Sequence, residues 1–430
     1  MHRTRSPEII FSRRSIQAAD QPIGKLMSQA LANPGLISLA AGFVDPQTLP
    51  ARLAAKLTSE ILSDPEMGIE ALQYGTTSGH PGLRKQVFEQ LVRPDFSSVC
   101  PLTPDNIVIT AGSNQLLHLV AETLVDPGDI VIAAAPSYFV FLGTLAELGA
   151  QVIGIRADAD GIDTQELTSV LQQLESSGQL HRLKVIYLVS YFDNPAGSTL
   201  SLERRERVVQ LAREYSRDHR IMILSDDAYR PLRFDVPDLP SMVSLKGGCD
   251  YVITAGTFSK SFSPGIRVGW GLLPTEICQA VTNQKNNLDF GSPNFNQCIM
   301  KRALEGGVYS SHVDRLRAAY QVKRDTMLDA LEQCLGSIDG VQWRRPGGGL
   351  YIWLTLPTQL SASPTSRLFH LAVTRGVLYV PGQYCFPDDE LADQENTIRL
   401  SFGVESPERI SEGIRILAES IKETLRSADP

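Results

Sequence analysis

The stretch that decides the fold is Tyr251-Val252-Ile253-Thr254-Ala255-Gly256-Thr257-Phe258-Ser259-Lys260-Ser261-Phe262-Ser263-Pro264-Gly265-Ile266-Arg267. An apolar run of strand length, Tyr251–Thr254, opens into a loop. That loop sets one lysine among hydroxyls and glycine, with an arginine seven residues on. Working outward, the same apolar grammar recurs at Ile107–Thr110, Ile130–Ala133, Val152–Ile155, Val185–Val189, Ile221–Leu224 and Val268–Leu272. Between the runs lie segments such as Leu200–Tyr215, where Leu, Val and Ala recur at helical spacing among Glu and Arg. Continuous apolar strands separated by helices predict an α/β domain with a mostly parallel, seven-stranded sheet sandwiched by helices.

Beyond residue 300 the pattern changes. A helical stretch over Ser311–Cys334 precedes strand-like segments at Val341–Leu356, Gly376–Pro381 and Thr397–Phe402, and a helix follows over Pro407–Arg426. This predicts a smaller α+β domain. The expected organisation is an arm with part of the small domain at 1–50, a large domain at 51–305 and the small domain at 306–430. No internal repeat interrupts it.

The chain has 430 residues, with 40 Lys+Arg against 48 Asp+Glu and a formal net charge of −8. That acidic balance argues against nucleic acid held by bulk electrostatics. No apolar run approaches the roughly 18 residues of a membrane span, so no membrane partner is expected. The six cysteines are scattered without a C-x-x-C, as in a reduced, cytoplasmic protein. The seven histidines do not pair at metal-ligand spacing, and no metal is expected. The N-terminus carries Arg3, Arg5, Arg13 and Arg14 but no apolar core, and Glu8 and Asp20 interrupt it. An arm, not a signal peptide, is expected there.

In an open parallel sheet, ligands bind beyond the carboxyl ends of the strands. The residues that follow the runs therefore matter most. They are Ala111-Gly112-Ser113-Asn114-Gln115, Pro136-Ser137-Tyr138, Ser190-Tyr191-Phe192-Asp193-Asn194-Pro195-Ala196-Gly197, Ser225-Asp226-Asp227-Ala228-Tyr229 and the Lys260 loop. Singly, each has an ordinary reading: a helix cap, a turn, a solvated acidic pair, a surface lysine. Together they supply what pyridoxal phosphate (PLP) needs. It takes a lysine amine, a carboxylate for the pyridine nitrogen and donors for the phenolic oxygen. It also takes a cation with hydroxyls at a helix start for the phosphate, and an aromatic ring over one face.

With these residues in place, the chain resembles the fold-type-I PLP-dependent aminotransferases of the aspartate aminotransferase superfamily (class I/II), and within it the kynurenine/2-aminoadipate aminotransferase branch. The resemblance runs through Ile37-Ser38-Leu39-Ala40-Ala41-Gly42-Phe43 and Leu72-Gln73-Tyr74-Gly75 with Gly79, Gly82, Leu83 and Arg84. It continues in Asn194-Pro195, Asp226-Asp227-Ala228-Tyr229, Ser259-Lys260, Gly265 and Arg267. It closes in Pro346-Gly347-Gly348-Gly349-Leu350-Tyr351-Ile352-Trp353 and Ile398-Arg399-Leu400-Ser401-Phe402. It implies amino-group transfer from an L-amino acid to a 2-oxo acid, such as 2-oxoglutarate or pyruvate, by a ping-pong route in amino-acid metabolism.

Position by position, the resemblance implies that Lys260 forms the internal aldimine and later moves the proton, and that Asp226 pairs with the pyridinium. Asn194 and Tyr229 bond the phenolic oxygen, and Tyr138 stacks on the ring. Ser113, Asn114, Ser259 and Arg267 hold the phosphate, with Thr257 as a helper. Tyr74 reaches that region from the neighbouring subunit of a homodimer, Arg399 clamps the substrate α-carboxylate, and Gly42 lets the chain come close to it. Tyr138, Phe290, Phe295 and Tyr351 are candidate aromatic walls.

Two departures stand out. Asp193 and Ala196 flank Asn194-Pro195 where relatives carry Gln or Asn and Thr. The Pro-Ile-Arg of relatives is here Gln21-Pro22-Ile23-Gly24-Lys25, which weakens the case for an acidic substrate side chain unless Lys25 substitutes. Another PLP reaction on the same scaffold (lyase, decarboxylase, synthase or oxidase) stays open. The effector-sensing half of a MocR-type regulator is disfavoured, because about 20 residues of arm leave no room for a helix-turn-helix.

Overall fold

A computed structural model describes residues 9–18, 24, 35–97, 101–387 and 394–428. The main sheet has β1 (Ile107–Thr110), β2 (Ile130–Ala135), β3 (Gln151–Asp158), β4 (Gly161–Ile162), β5 (Leu183–Val189), β6 (Met222–Asp226), β7 (Val252–Thr257) and β8 (Gly269–Leu272). Their order is β1-β8-β7-β6-β5-β2-β3-β4. The five strands from β7 to β3 are mutually parallel, while β8 runs antiparallel to both neighbours. All seven expected strands are present, with bounds shifted by a few residues. The sheet has eight because β4, two residues long, pairs antiparallel with the end of β3. Two residues carry no legible periodicity.

Successive strand residues feed opposite cores. Val131 and Ala133 face one hydrophobic cluster with Val185, Tyr187 and Leu224. Ile130 and Ile132 face another with Ile186, Leu188 and Ile223. A sheet covered on both faces favours apolar side chains at successive positions of its central strands, which is why the runs are nearly continuous. The flanking helices begin on capping side chains. Asp163 accepts from the N–H groups of Gln165 and Glu166 ahead of the helix Thr164–Ser176, and Ser201 accepts from Arg204 ahead of Leu202–Tyr215.

The C-terminal region holds the helices Val308–Leu335 and Pro407–Ala428 and an antiparallel sheet of Gln342–Trp343, Tyr351–Thr355, Thr397–Ser401 and Val380–Pro381. The expected single strand at Val341–Leu356 is therefore two. Its middle, Pro346-Gly347-Gly348-Gly349, leaves the ladder to dock on the loop after β6. There Phe234 donates its N–H to Gly347, and Gly349 its own to Leu232. Gly349 has φ +74°, a conformation open to glycine at no steric cost. Ile37–Ser38 pairs parallel with Val377–Leu378, and Lys323 bonds Asp45 at 2.8 Å.

Candidate active site

The carboxyl ends of β1, β2, β5, β6 and β7 share one edge of the sheet, and β8 begins there because it runs the other way. The segments after those ends wall a cavity of about 460 Å³, within the range of small-molecule sites. Ser113, Asn114, Tyr138, Asn194, Asp226, Tyr229, Thr257, Ser259, Lys260, Arg267, Gly42 and Arg399 all line it.

Lys260 donates from Nζ to the Gly42 carbonyl at 2.6 Å. Its pKa is pushed down, first by loss of hydration and then by the charges of Arg399 and Arg267. Asp226 is buried at the end of β6. It accepts from the Tyr187 hydroxyl (3.3 Å) and the Ala228 N–H (3.2 Å). Burial raises its pKa from 3.8 to about 7, with Asp227 adding to the rise. Arg399 is almost wholly buried. It donates to Asn194 Oδ1 (2.9 Å) and the Ala40 carbonyl (2.7 Å), and its guanidinium lies 4.4 Å from the Tyr351 ring centroid. Its Nε has no partner among the described residues. Asn194 thus commits its carbonyl end to Arg399 and keeps its NH₂ end as a donor. The hydroxyls of Tyr229 and Tyr351 meet at 3.2 Å.

At the other end of the cavity, Arg267 donates to the Ala111 carbonyl (2.8 Å) and reaches Ser259 Oγ at 3.5 Å, while Thr257 donates to Ser259 (3.0 Å). Gly112, at φ +83°, precedes a twelve-residue helix that starts at Ser113. Free N–H groups, two serines and an arginine make this an anion cradle. Tyr138 turns its hydroxyl to Asn114 Oδ1 at 3.3 Å, and burial raises its pKa to about 12.

A model for aminotransferase class I and II matches residues 34–417. The chain belongs to this family. It is 34% identical to aromatic-amino-acid aminotransferase 1 of Thermococcus litoralis, over 97% of this chain and 95% of that one. It is similar in structure, with a TM-score of 0.88 and 34% identity, to a Pyrococcus horikoshii kynurenine aminotransferase solved in complex with PMP, covering 96% of this chain and 97% of that one. It also resembles an alpha-aminoadipate aminotransferase of Thermus thermophilus complexed with N-(5'-phosphopyridoxyl)-L-leucine (TM-score 0.83, 32% identity, 97% and 98% covered). The family's fold, its PLP cofactor and its amino-group transfer are those of this chain. The cavity fits that cofactor on its own terms. A buried carboxylate with no arginine or lysine paired to it among the described residues shares the cavity with an anion cradle and an amine.

Tyr74 stands apart from the cavity. It is 82% exposed, with its ring edge-on to Phe290. Of the candidate aromatic walls, Tyr138 and Tyr351 line the cavity, but Phe290 and Phe295 do not. Phe290 sits outside against Tyr74, and Phe295 packs on the core behind the sheet. Asp193 is buried and its carboxyl is pushed well above the usual range by burial. Lys25 lies outside the described residues. Phe43, Phe139, Val140 and Val189 also line the cavity, and sequence reasoning singled out none of them. It missed Tyr187 as well. One tyrosine in the otherwise aliphatic run Val185–Val189 was the available signal, since a buried hydroxyl requires a partner. No helix among the described residues is long and apolar enough to cross a membrane.

Proposed function

We propose that this chain transfers the amino group of L-amino acids with uncharged, aromatic or aliphatic side chains, using the residues above in the following roles. Bound PLP supplies an aldehyde that links to an amine and a protonated ring that takes up negative charge. Lys260 is the amine it meets. Its pKa lowered by desolvation and by the charges of Arg399 and Arg267, Lys260 would take the proton from the substrate Cα at Nζ and return it two atoms further along, at the carbon that had been the aldehyde. Asp226 keeps the ring nitrogen protonated. Asn194 and Tyr229 donate to the phenolic oxygen, and Tyr138 covers the ring. Ser113, Asn114, Ser259 and Arg267, helped by Thr257, hold the phosphate.

Arg399 binds the substrate α-carboxylate, its fork already aimed by Asn194 and Ala40. Among the described residues lining the cavity, the cations are Lys260, Arg267 and Arg399. Each is assigned, so none is left for a second substrate carboxylate. Phe43, Phe139, Val140 and Val189 offer apolar contact instead. The observation that carries the reading is the convergence of Lys260, Asp226 and Arg399 on one cavity.

The same proposal makes the enzyme a cytoplasmic homodimer of amino-acid biosynthesis, with Tyr74 entering its neighbour's phosphate site. It divides the chain at 51 and 306 into arm, large domain and small domain. Support for the dimer comes from Leu72, Tyr74, Leu288 and Phe290, which leave large apolar surface exposed around one contact. A panel of amino donors, scored by loss of the bound aldehyde's absorbance, tests the substrate class. Phenylalanine, tyrosine and leucine should convert the cofactor faster than aspartate and glutamate. The reverse order would refute the class assigned.

A further inference from the structure

Behind the anion cradle, a line of hydrogen bonds runs away from the cavity into the protein. Lys285, on the helix Thr275–Leu288, has a wholly buried side chain and donates to both carboxylate oxygens of Asp289, at 2.6 and 2.7 Å. Asp289 Oδ2 also accepts from Gln115 Nε2 at 2.7 Å. Gln115 Oε1 in turn accepts the Ala111 N–H at 2.7 Å, and the Ala111 carbonyl accepts from Arg267. Both polar ends of Ala111 are therefore held, one by the line from Lys285 and the other by the cradle's own cation. None of Gln115, Asp289 and Lys285 lines the cavity.

A glutamine in the first helical turn reaching back to a preceding N–H is an ordinary capping arrangement. Two features take this one further. Its amide is oriented from behind by a carboxylate, so the carbonyl end cannot turn away from Ala111. That carboxylate, itself partly exposed, is fixed by a lysine whose side chain has no exposed surface, which holds it from the buried side. The pair aims Gln115, and Gln115 sets where Ala111, Gly112 and the start of the helix lie relative to Arg267.

We propose that Gln115, oriented by the Lys285–Asp289 pair, is a positioning residue that fixes the cradle for the cofactor's phosphate. It sets affinity for the phosphate and not for the ring. The proposal rests on the assignment of this end of the cavity to phosphate.

The test compares PLP with pyridoxal, the same aldehyde without phosphate, in titrations of full-length protein freed of cofactor. In Gln115→Leu, PLP affinity should fall about tenfold, because the partly buried Ala111 N–H loses the acceptor that positions it, while pyridoxal affinity stays within about twofold. Gln115→Glu should lose at least as much, since two carboxylates then meet. Adding Asp289→Asn should restore PLP binding, because the introduced amide can donate to the new carboxylate and still accept from Lys285 at unchanged net charge. Unaltered PLP affinity in Gln115→Leu, an equal loss for both aldehydes, or no rescue in the double variant would each overturn the proposal. Wild-type protein that binds PLP no better than pyridoxal would overturn the phosphate assignment and the proposal with it. A wild-type preference for PLP that is undiminished in Gln115→Leu would refute the positioning role alone.

Discussion

Replacing Asp226 by Asn should flatten the pH dependence of stability in the cofactor-free protein. The native carboxyl titrates near 7 and the unfolded one near 3.8. Between those values the folded chain binds the proton that the unfolded chain has released, so stability falls as pH rises through the window. At 1.36 kcal/mol per pH unit, the full rise amounts to roughly 4 kcal/mol lost by the time pH exceeds 7. Asn is neutral; its Oδ1 can accept from the Ala228 N–H while its NH₂ donates to the Tyr187 hydroxyl, which turns round to accept, so the variant keeps both contacts and sheds the titration. Asp193 and Asp227 are also raised by burial, the latter to about 6. They leave a residual slope in both proteins, and the difference between the two belongs to Asp226. With PLP bound, the ring nitrogen gives the carboxylate its counter-charge, so stabilisation by cofactor should grow with pH in wild type and much less in the variant. Urea unfolding at pH 5, 6.5 and 8, with and without PLP, reads both effects. Identical slopes for the two cofactor-free proteins would refute the argument.

Lys260→Ala should lose the covalent cofactor and all measurable turnover while keeping its fold; borohydride reduction followed by peptide mass mapping should label Lys260 in wild type and no lysine in the variant. Arg399→Lys gives up the planar fork shared with Asn194 and Ala40, so the donor KM should rise by about ten- to a hundredfold with a smaller change in kcat, read by steady-state kinetics. Gly42→Ala places a Cβ 2.6 Å from Tyr351 Oη. Moving that ring disturbs the Tyr229 contact and should cost about 1–3 kcal/mol in thermal or urea unfolding, with a loss of activity alongside.

The strands were legible because a sheet buried on both faces leaves no room for polar interruption, and the site was legible because its residues stand directly after those runs. Asp226, Lys260 and Arg267 could be placed at one edge without knowing a single side-chain contact. Contacts across the sheet were not legible. Tyr187 reaches Asp226 from the neighbouring strand, 39 residues away in sequence, and Gln115 meets Asp289 at a separation of 174. Neither spacing carries a period. The break at Pro346–Gly349 follows from docking on residues 232–236, which no local propensity encodes. Tyr74 is exposed in the single chain, so the role proposed for it depends on a second copy.

Burial alone would make the cavity inert. Loss of hydration drives Asp226 toward its protonated form and Lys260 toward its neutral one, so an amine and an acid in the same cleft would both give up their charge. Transamination needs these tendencies treated differently: the amine neutral to accept a proton, the carboxylate ionised to hold one on the ring. The neighbours make the distinction. Arg267 and Arg399 flank Lys260 and add to its neutrality, whereas Asp226 faces Asp227 and two neutral donors, which leave its ionisation to whatever cation enters beside it. At and below about pH 7, Asp226 thus gains most of its charge when a protonated ring arrives. This ties cofactor binding to the charge state that the chemistry requires and explains why the site can place its carboxylate away from every arginine and lysine that lines it.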